Sequence, residues 1–176
     1  MRKVAIILLV LLSHSLVPGS QQHNDWIRYK SPEGRYSVLL PSQPDVSTQE
    51  ATTATGEKFT QYKATVFDLD VAYMIGYFDY QSGTIFTVDK ARDGMIQAVK
   101  GTLLDEKLIT AGGSSGRQFR VLAKDPSGAE YIIRERVYDI DQRVYVLQFI
   151  APKSTEAENA AKAARYFDSF QITKTP

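Results

Sequence analysis

Chemistry in a small protein usually starts from histidine or cysteine, and this chain carries two histidines and no cysteine. His14 follows an apolar N-terminal run, and His23 lies in a polar stretch just before Trp26. A Ser-His-Asp triad or a histidine metal site needs an imidazole fixed inside the fold, and thiolate chemistry needs cysteine. Those classes are excluded if both histidines lie outside the folded part. Carboxylates remain. Asp68 and Asp70 share one face at a strand start, and Asp139 and Asp141 stand in the same relation at a hairpin tip. Either pair could act as acid and base, or ligate calcium among other oxygens. Acidic residues at strand ends are also ordinary turn formers, and neither pair shows the D-x-[DN]-x-[DN]-G spacing. Gly112-Gly113-Ser114-Ser115-Gly116-Arg117 lies between two strand patterns and lacks the GxxxxGK[ST] of a phosphate loop, so it reads as a hairpin connection. Ser114 and Ser115 lack a G-x-S-x-G elbow. No catalytic, cofactor-binding or metal-ligating residue is assigned.

Aromatic residues are the more suggestive group: ten Tyr, eight Phe and one Trp. Tyr73, Tyr77, Tyr80, Tyr131, Tyr138 and Tyr145 fall in or beside strand patterns, where tyrosine serves as core or cross-strand partner. A minority exposed along one edge would form a binding patch, since tyrosine is common in interface hot spots. The sequence alone does not pick out which.

The elements that must position these residues begin after an export signal. Arg2 and Lys3 form a positive head, Val4 to Leu12 is apolar, and a polar turn-forming tail runs to Ser20. That order predicts a secretory signal cleaved after Gly19, with an uncleaved anchor as the alternative. The apolar run is well short of the roughly 20 residues of a membrane span. Cleavage leaves 176 − 19 = 157 residues: a flexible tail over 20–25 and one domain over 26–173. It also changes the formal charge from 21 − 20 = +1 to 19 − 20 = −1. Like charges do not cluster, as Arg134-Glu135-Arg136 illustrates, so neither a nucleic-acid face nor an anionic-membrane patch is visible. Without cysteine the domain must rely on packing.

Trp26 to Tyr29, Tyr36 to Leu40, Phe59 to Phe67 and Val71 to Tyr80 read as strands, with Pro41 and Pro44 bracketing the exit of the second. Gln49 to Gly56 reads as a strand end or mobile loop. Val71 to Tyr80 is apolar in both parities, which marks a central strand covered on both faces. Val88, Ala91, Met95, Ile96 and Val99 recur at helical spacing behind Thr87 as N-cap. Leu103 to Thr110, Arg117 to Lys124, Ala129 to Ile140 and Arg143 to Ala151 are successive antiparallel strands. A second helix follows Pro152, capped by Ser154 or Thr155. Thr155 and Glu158 have capping-box spacing, Glu158 and Lys162 pair at i,i+4, and the buried stripe is Ala157, Ala160, Ala161, Ala164 and Phe167. Phe170 and Ile172 return to the sheet edge. The reading is α+β: a single antiparallel β-sheet covered by helices on both faces.

"SPEGRYSVLLPSQPDV", "GGSSGRQF", "RVYVLQF" and "YFDSFQI" together resemble small exported bacterial proteins with a PsbP/Mog-like α/β/α sandwich, across Trp26 to Ile172. The resemblance implies that sandwich. Its better-known relatives are non-enzymatic: photosystem II extrinsic subunits, and a protein that binds a small GTPase. The shared motifs are turn and core residues, so no functional residue is carried over. The expectation is an exported, non-catalytic binding or accessory domain with a protein partner at the cell envelope. The alternatives are a carrier of a small apolar or aromatic ligand, and a carboxylate-dependent hydrolase.

Overall fold

The computed structural model describes residues 26–52, 58–81, 83 and 86–173. The expected signal and tail lie outside the described residues. Strands β1 (Ile27–Ser31), β2 (Tyr36–Leu40) and β10 (Gln171–Ile172) form a three-stranded antiparallel sheet in the order β1-β2-β10. Strands β3 (Asp45–Thr52), β4 (Lys58–Asp68), β5 (Val71–Asp79), β6 (Thr102–Ala111), β7 (Ser114–Lys124), β8 (Glu130–Ile140) and β9 (Arg143–Pro152) form the other. That seven-stranded antiparallel sheet runs β3-β4-β5-β9-β8-β7-β6. The expected single sheet is therefore two. Pro41 and Pro44 explain the division, because prolines at the end of β2 interrupt the ladder and let the chain cross to another layer before β3 begins. Phe170 and Ile172 belong to this small layer, where Ile172 stands opposite Tyr36.

β5 and β9 are buried on both faces, as expected for central strands. One parity (Tyr73, Ile75 and Tyr77 of β5; Tyr145, Leu147 and Phe149 of β9) packs with Tyr36, Val38 and Leu40 of the small sheet. Ala163, Tyr166 and Phe167 of helix α2 (Ala160–Asp168) complete that core. The other parity (Met74, Phe78, Val144, Val146) packs with Phe119, Val121, Val137 and with Ala91 and Met95 of helix α1 (Val88–Ala98). Thr87 caps α1, accepting from the Lys90 amide at 3.4 Å.

α2 starts later than its sequence suggests. Lys153–Thr155 forms one 3₁₀ turn, and the α-helix begins at Ala160. Thr155 Oγ1 does not close a capping box with Glu158; it accepts from Asn159 Nδ2 at 3.3 Å. The late start leaves Ala157, Ala161 and Ala164 exposed and Ala160 half-buried; Phe167 is buried as expected, joined by Ala163 and Tyr166. The larger ring of Tyr166 hides more apolar area than any alanine, and this sets the rotation of the helix. Lys162 accordingly pairs with Asp68 rather than Glu158.

Two hairpins are tight. Gly112 and Gly113 hold φ +57° and +85°, so Ser114, Ser115 and Gly116 already belong to β7. Asp141 and Gln142 adopt φ 51° and 62° between β8 and β9. Gln49 to Gly56 was expected to be a strand end or mobile loop; its first part, to Thr52, completes a full edge strand over Asp45–Thr52, and residues 53–56 lie outside the described residues.

Candidate functional site

The expected carboxylate pairs lie at opposite ends of the large sheet, since Asp68 opens the β4–β5 turn and Asp139 precedes the β8–β9 turn. At 3.3–3.4 Å per residue, the length of β5 separates them by roughly 25 Å. Each carboxylate has its own engagement. Asp68 accepts from Lys162 Nζ at 3.1 Å, and Asp70 accepts from Thr155 Oγ1 at 3.3 Å. Both contacts fasten the α2 segment to the β4–β5 turn. Asp139 accepts from the Tyr80 hydroxyl at 2.9 and 3.0 Å, and burial raises its carboxyl above the ordinary range. Asp141 is exposed in its turn. Among the described residues, no group of three or more His, Cys, Asp or Glu side chains is arranged to hold a metal ion.

The six tyrosines divide. Tyr73, Tyr77, Tyr138 and Tyr145 are buried, and Tyr80 and Tyr131 are half-buried. Among the tyrosines the exposed ring is that of Tyr62 on β4, 38 % exposed; Phe67 near the end of the same strand is 47 % exposed. Tyr62 lies flat on Tyr77, with centroids 4.7 Å apart and planes 6° from parallel. The Arg143 guanidinium stands 4.5 Å from the centre of the same Tyr77 ring. Arg143, only 8 % exposed, donates through Nε and Nη2 to the two Asp79 oxygens at 2.6 Å each, and through Nη1 to the Glu33 carbonyl. The Tyr145 hydroxyl donates to the Gly34 carbonyl at 2.9 Å. Gly34 is obligatory there, because a Cβ would sit 2.5 Å from the Tyr36 ring. The "SPEGRY" turn and the "RVY" start of β9 are thus two halves of one lock. Their shared occurrence is a matter of fold, and what they hold rigid is the seat of Tyr62.

Beside Tyr62 runs the free edge of β3. Val46 is 64 % exposed and stands diagonal to Tyr62, since Val46 opposes Ala64 and Thr48 opposes Tyr62. β3 keeps an unbroken register from Asp45 to Thr52. At the far edge, β6 also shows apolar side chains, with Leu108 74 % exposed. There, however, the register shifts between Leu103 and Asp105, and Asp105, Glu106 and Lys107 charge the strand, features that blunt an edge. Of the two edges, β3 beside Tyr62 and Val46 is the less blunted.

Sequence reasoning read Phe59 to Phe67, which contains Tyr62, as a strand but did not single Tyr62 out. The available signal was its neighbour: the Thr- and Ala-rich segment that became β3 brings nothing large enough to cover a ring. Glu135 was missed outright. Within Arg134-Glu135-Arg136 the arginines reach the rim, binding Glu156 and Asp168, while Glu135 turns to the opposite face and is 2 % exposed. It accepts from Gln148 Nε2, and burial pushes its carboxyl up to about 8, so it is protonated at neutral pH.

No protein-family model matches the chain, and no curated protein matches it. Solved structures do. Cyanobacterial PsbP (CyanoP) from Synechocystis is similar with a TM-score of 0.57 at 13 % identity, over 89 % of this chain and 97 % of that one. PA94, a Pseudomonas aeruginosa protein of unknown function, is similar with a TM-score of 0.51 at 10 % identity, over 86 % and 98 %. The chain therefore has the PsbP-like fold of small bacterial proteins. Identities this low speak to fold and leave function to the site.

Proposed function

We propose that this chain is an exported, non-catalytic docking module that assembles on a protein complex of the cell envelope through Tyr62 and the β3 edge. The observation that carries the reading is the exposed Tyr62 ring, held flat against the buried Tyr77–Arg143 lock before any partner arrives. A pre-positioned aromatic loses little freedom on binding, and tyrosine anchors are typical of interface hot spots. The adjacent open strand edge offers backbone hydrogen bonds to an incoming segment. Export is supported by the basic head and apolar run at the N-terminus. A membrane attachment of the folded part by a helix is not supported, as no helix among the described residues is long and apolar enough to span.

The carrier reading has less behind it. Tyr73, a natural lining residue for a ligand cavity, makes ring contacts with Trp26, Phe149 and Tyr166 at 5.1–5.5 Å. The hydrolase reading rests on Asp139 alone, whose raised carboxyl faces Tyr80. The test is capture from the native envelope fraction with tagged protein, comparing wild type with Tyr62→Ala. A stoichiometric partner present with wild type and lost with the variant supports docking. A partner retained by Tyr62→Ala, or none with wild type, refutes it.

A further inference from the structure

Beneath helix α1 the large sheet places a carboxyl where its neighbours are hydrocarbon. Glu135 sits on β8 between Ile133 and Val137, opposite Phe119 on β7 and Gln148 on β9, on the face that α1 covers. Its bond to the neutral Gln148 amide brings no charge. The charged groups on that side stand at the rim. They are Asp89, Lys90, Arg92 and Asp93 of α1, Glu106 of β6, Arg117 of β7 and Asp139 of β8, with Asp45 of β3 and Lys63 of β4 farther across the sheet. Arg92 pairs with Glu106 and Asp93, Arg117 pairs with Asp89, and Asp139 is taken by Tyr80. Burial and the Gln148 bond are what act on the Glu135 carboxyl, with no cation among them. A carboxylate formed in such a place must find water or a counter-charge.

We propose that Glu135 is a proton-controlled latch for helix α1: while the carboxyl keeps its proton the helix seals the sheet, and losing it lifts the helix and exposes the apolar face beneath. α1 yields before the strands do. β8 is hydrogen-bonded along its length to β7 and β9, whereas α1 makes no backbone bond to the sheet among the described residues. The helix is held by side-chain packing of Ala91 and Met95, with Val88, Ile96 and Val99 partly buried beside them, and by rim ion pairs that are individually weak. Gly94 in its interior lowers its intrinsic stability further. Burial raises the carboxyl to about 8, so the drive to open grows as pH rises toward that value and levels off above it.

Hydrogen exchange of the purified mature protein, read by mass spectrometry between pH 6 and pH 10 and corrected for intrinsic rates, tests this. The peptide covering α1 is expected to exchange at least tenfold faster at the alkaline end, while peptides of β8 and β9 stay protected. Glu135→Gln, which cannot ionise, is expected to keep α1 closed throughout. Gln148→Leu removes the donor that favours the ionised carboxyl in the closed state, so the rise in α1 exchange is expected to continue to higher pH and to reach a larger final value than in wild type. Three outcomes overturn the latch: α1 exchange that is independent of pH in wild type, opening in Glu135→Gln equal to wild type, or α1 and the central strands opening together. Should Glu135→Gln fail to fold, the wild-type profile and the Gln148→Leu shift decide.

Discussion

Arg143 and Asp79 form a markedly asymmetric ion pair, with side chains 10 % and 57 % exposed respectively. Removing one partner of a buried pair strands the other, and which one is stranded decides the cost. Asp79→Ala leaves a guanidinium half-desolvated against Tyr77 and is expected to cost about 3 kcal/mol. Arg143→Met leaves a carboxylate that water can reach and keeps an apolar stem over Tyr77, so a smaller loss, about 1–2 kcal/mol, is expected. Urea unfolding of the two variants checks the order. Tyr62→Ala removes one stacked pair at the surface and is expected to cost no more than about 1 kcal/mol, leaving a folded protein. At this scale the sequence was partly readable. Tyrosines in strands were correctly read as mostly core. Glu135 was hidden because a residue in a charged triplet gives no sign of which face of the sheet it will occupy.

Elements were legible wherever the hydrophobic period was local. β5, β9 and α1 follow directly from apolar parity and from the Thr87 cap. The start of α2 and the split into two sheets were not legible, because both depend on distant partners: Tyr166 on the packing against Tyr73, and β2 on β10, which arrives more than a hundred residues later. Glycines show how local and distant demands differ. A Cβ at Gly116 would meet the Val137 carbonyl at 2.5 Å, and backbone cannot move aside. Gly112 has free space around it and only its φ of +57° to satisfy. Gly116→Ala is therefore expected to cost about 3 kcal/mol and Gly112→Ala about 1 kcal/mol, measured as shifts in denaturation midpoint.

For the whole molecule, the buried Glu135 sets a pH trend of defined sign. In the unfolded chain its carboxyl ionises with a pKa near 4.5, and in the folded protein at about 8. Between those values the folded state holds a proton that the unfolded state has lost, so stability falls as pH rises through that window and levels off above it. Asp139, also raised by burial, adds to the trend with the same sign. Calorimetry is expected to show a lower melting temperature at pH 9 than at pH 5, with the difference much reduced in Glu135→Gln. The loss is bounded by the cost of lifting α1, which offers ionised Glu135 a cheaper escape than global unfolding.

The claim that organises these observations is that Tyr62, locked by Tyr77 and Arg143 beside an open strand edge, is where a partner protein binds. The most direct measurement places a photoreactive phenylalanine analogue at position 62 in the native host, with the same analogue at exposed Gln97 on α1 as the comparison. The account predicts one discrete adduct of higher mass from position 62 and none from position 97. No adduct from position 62, or the same adducts from both positions, would contradict it.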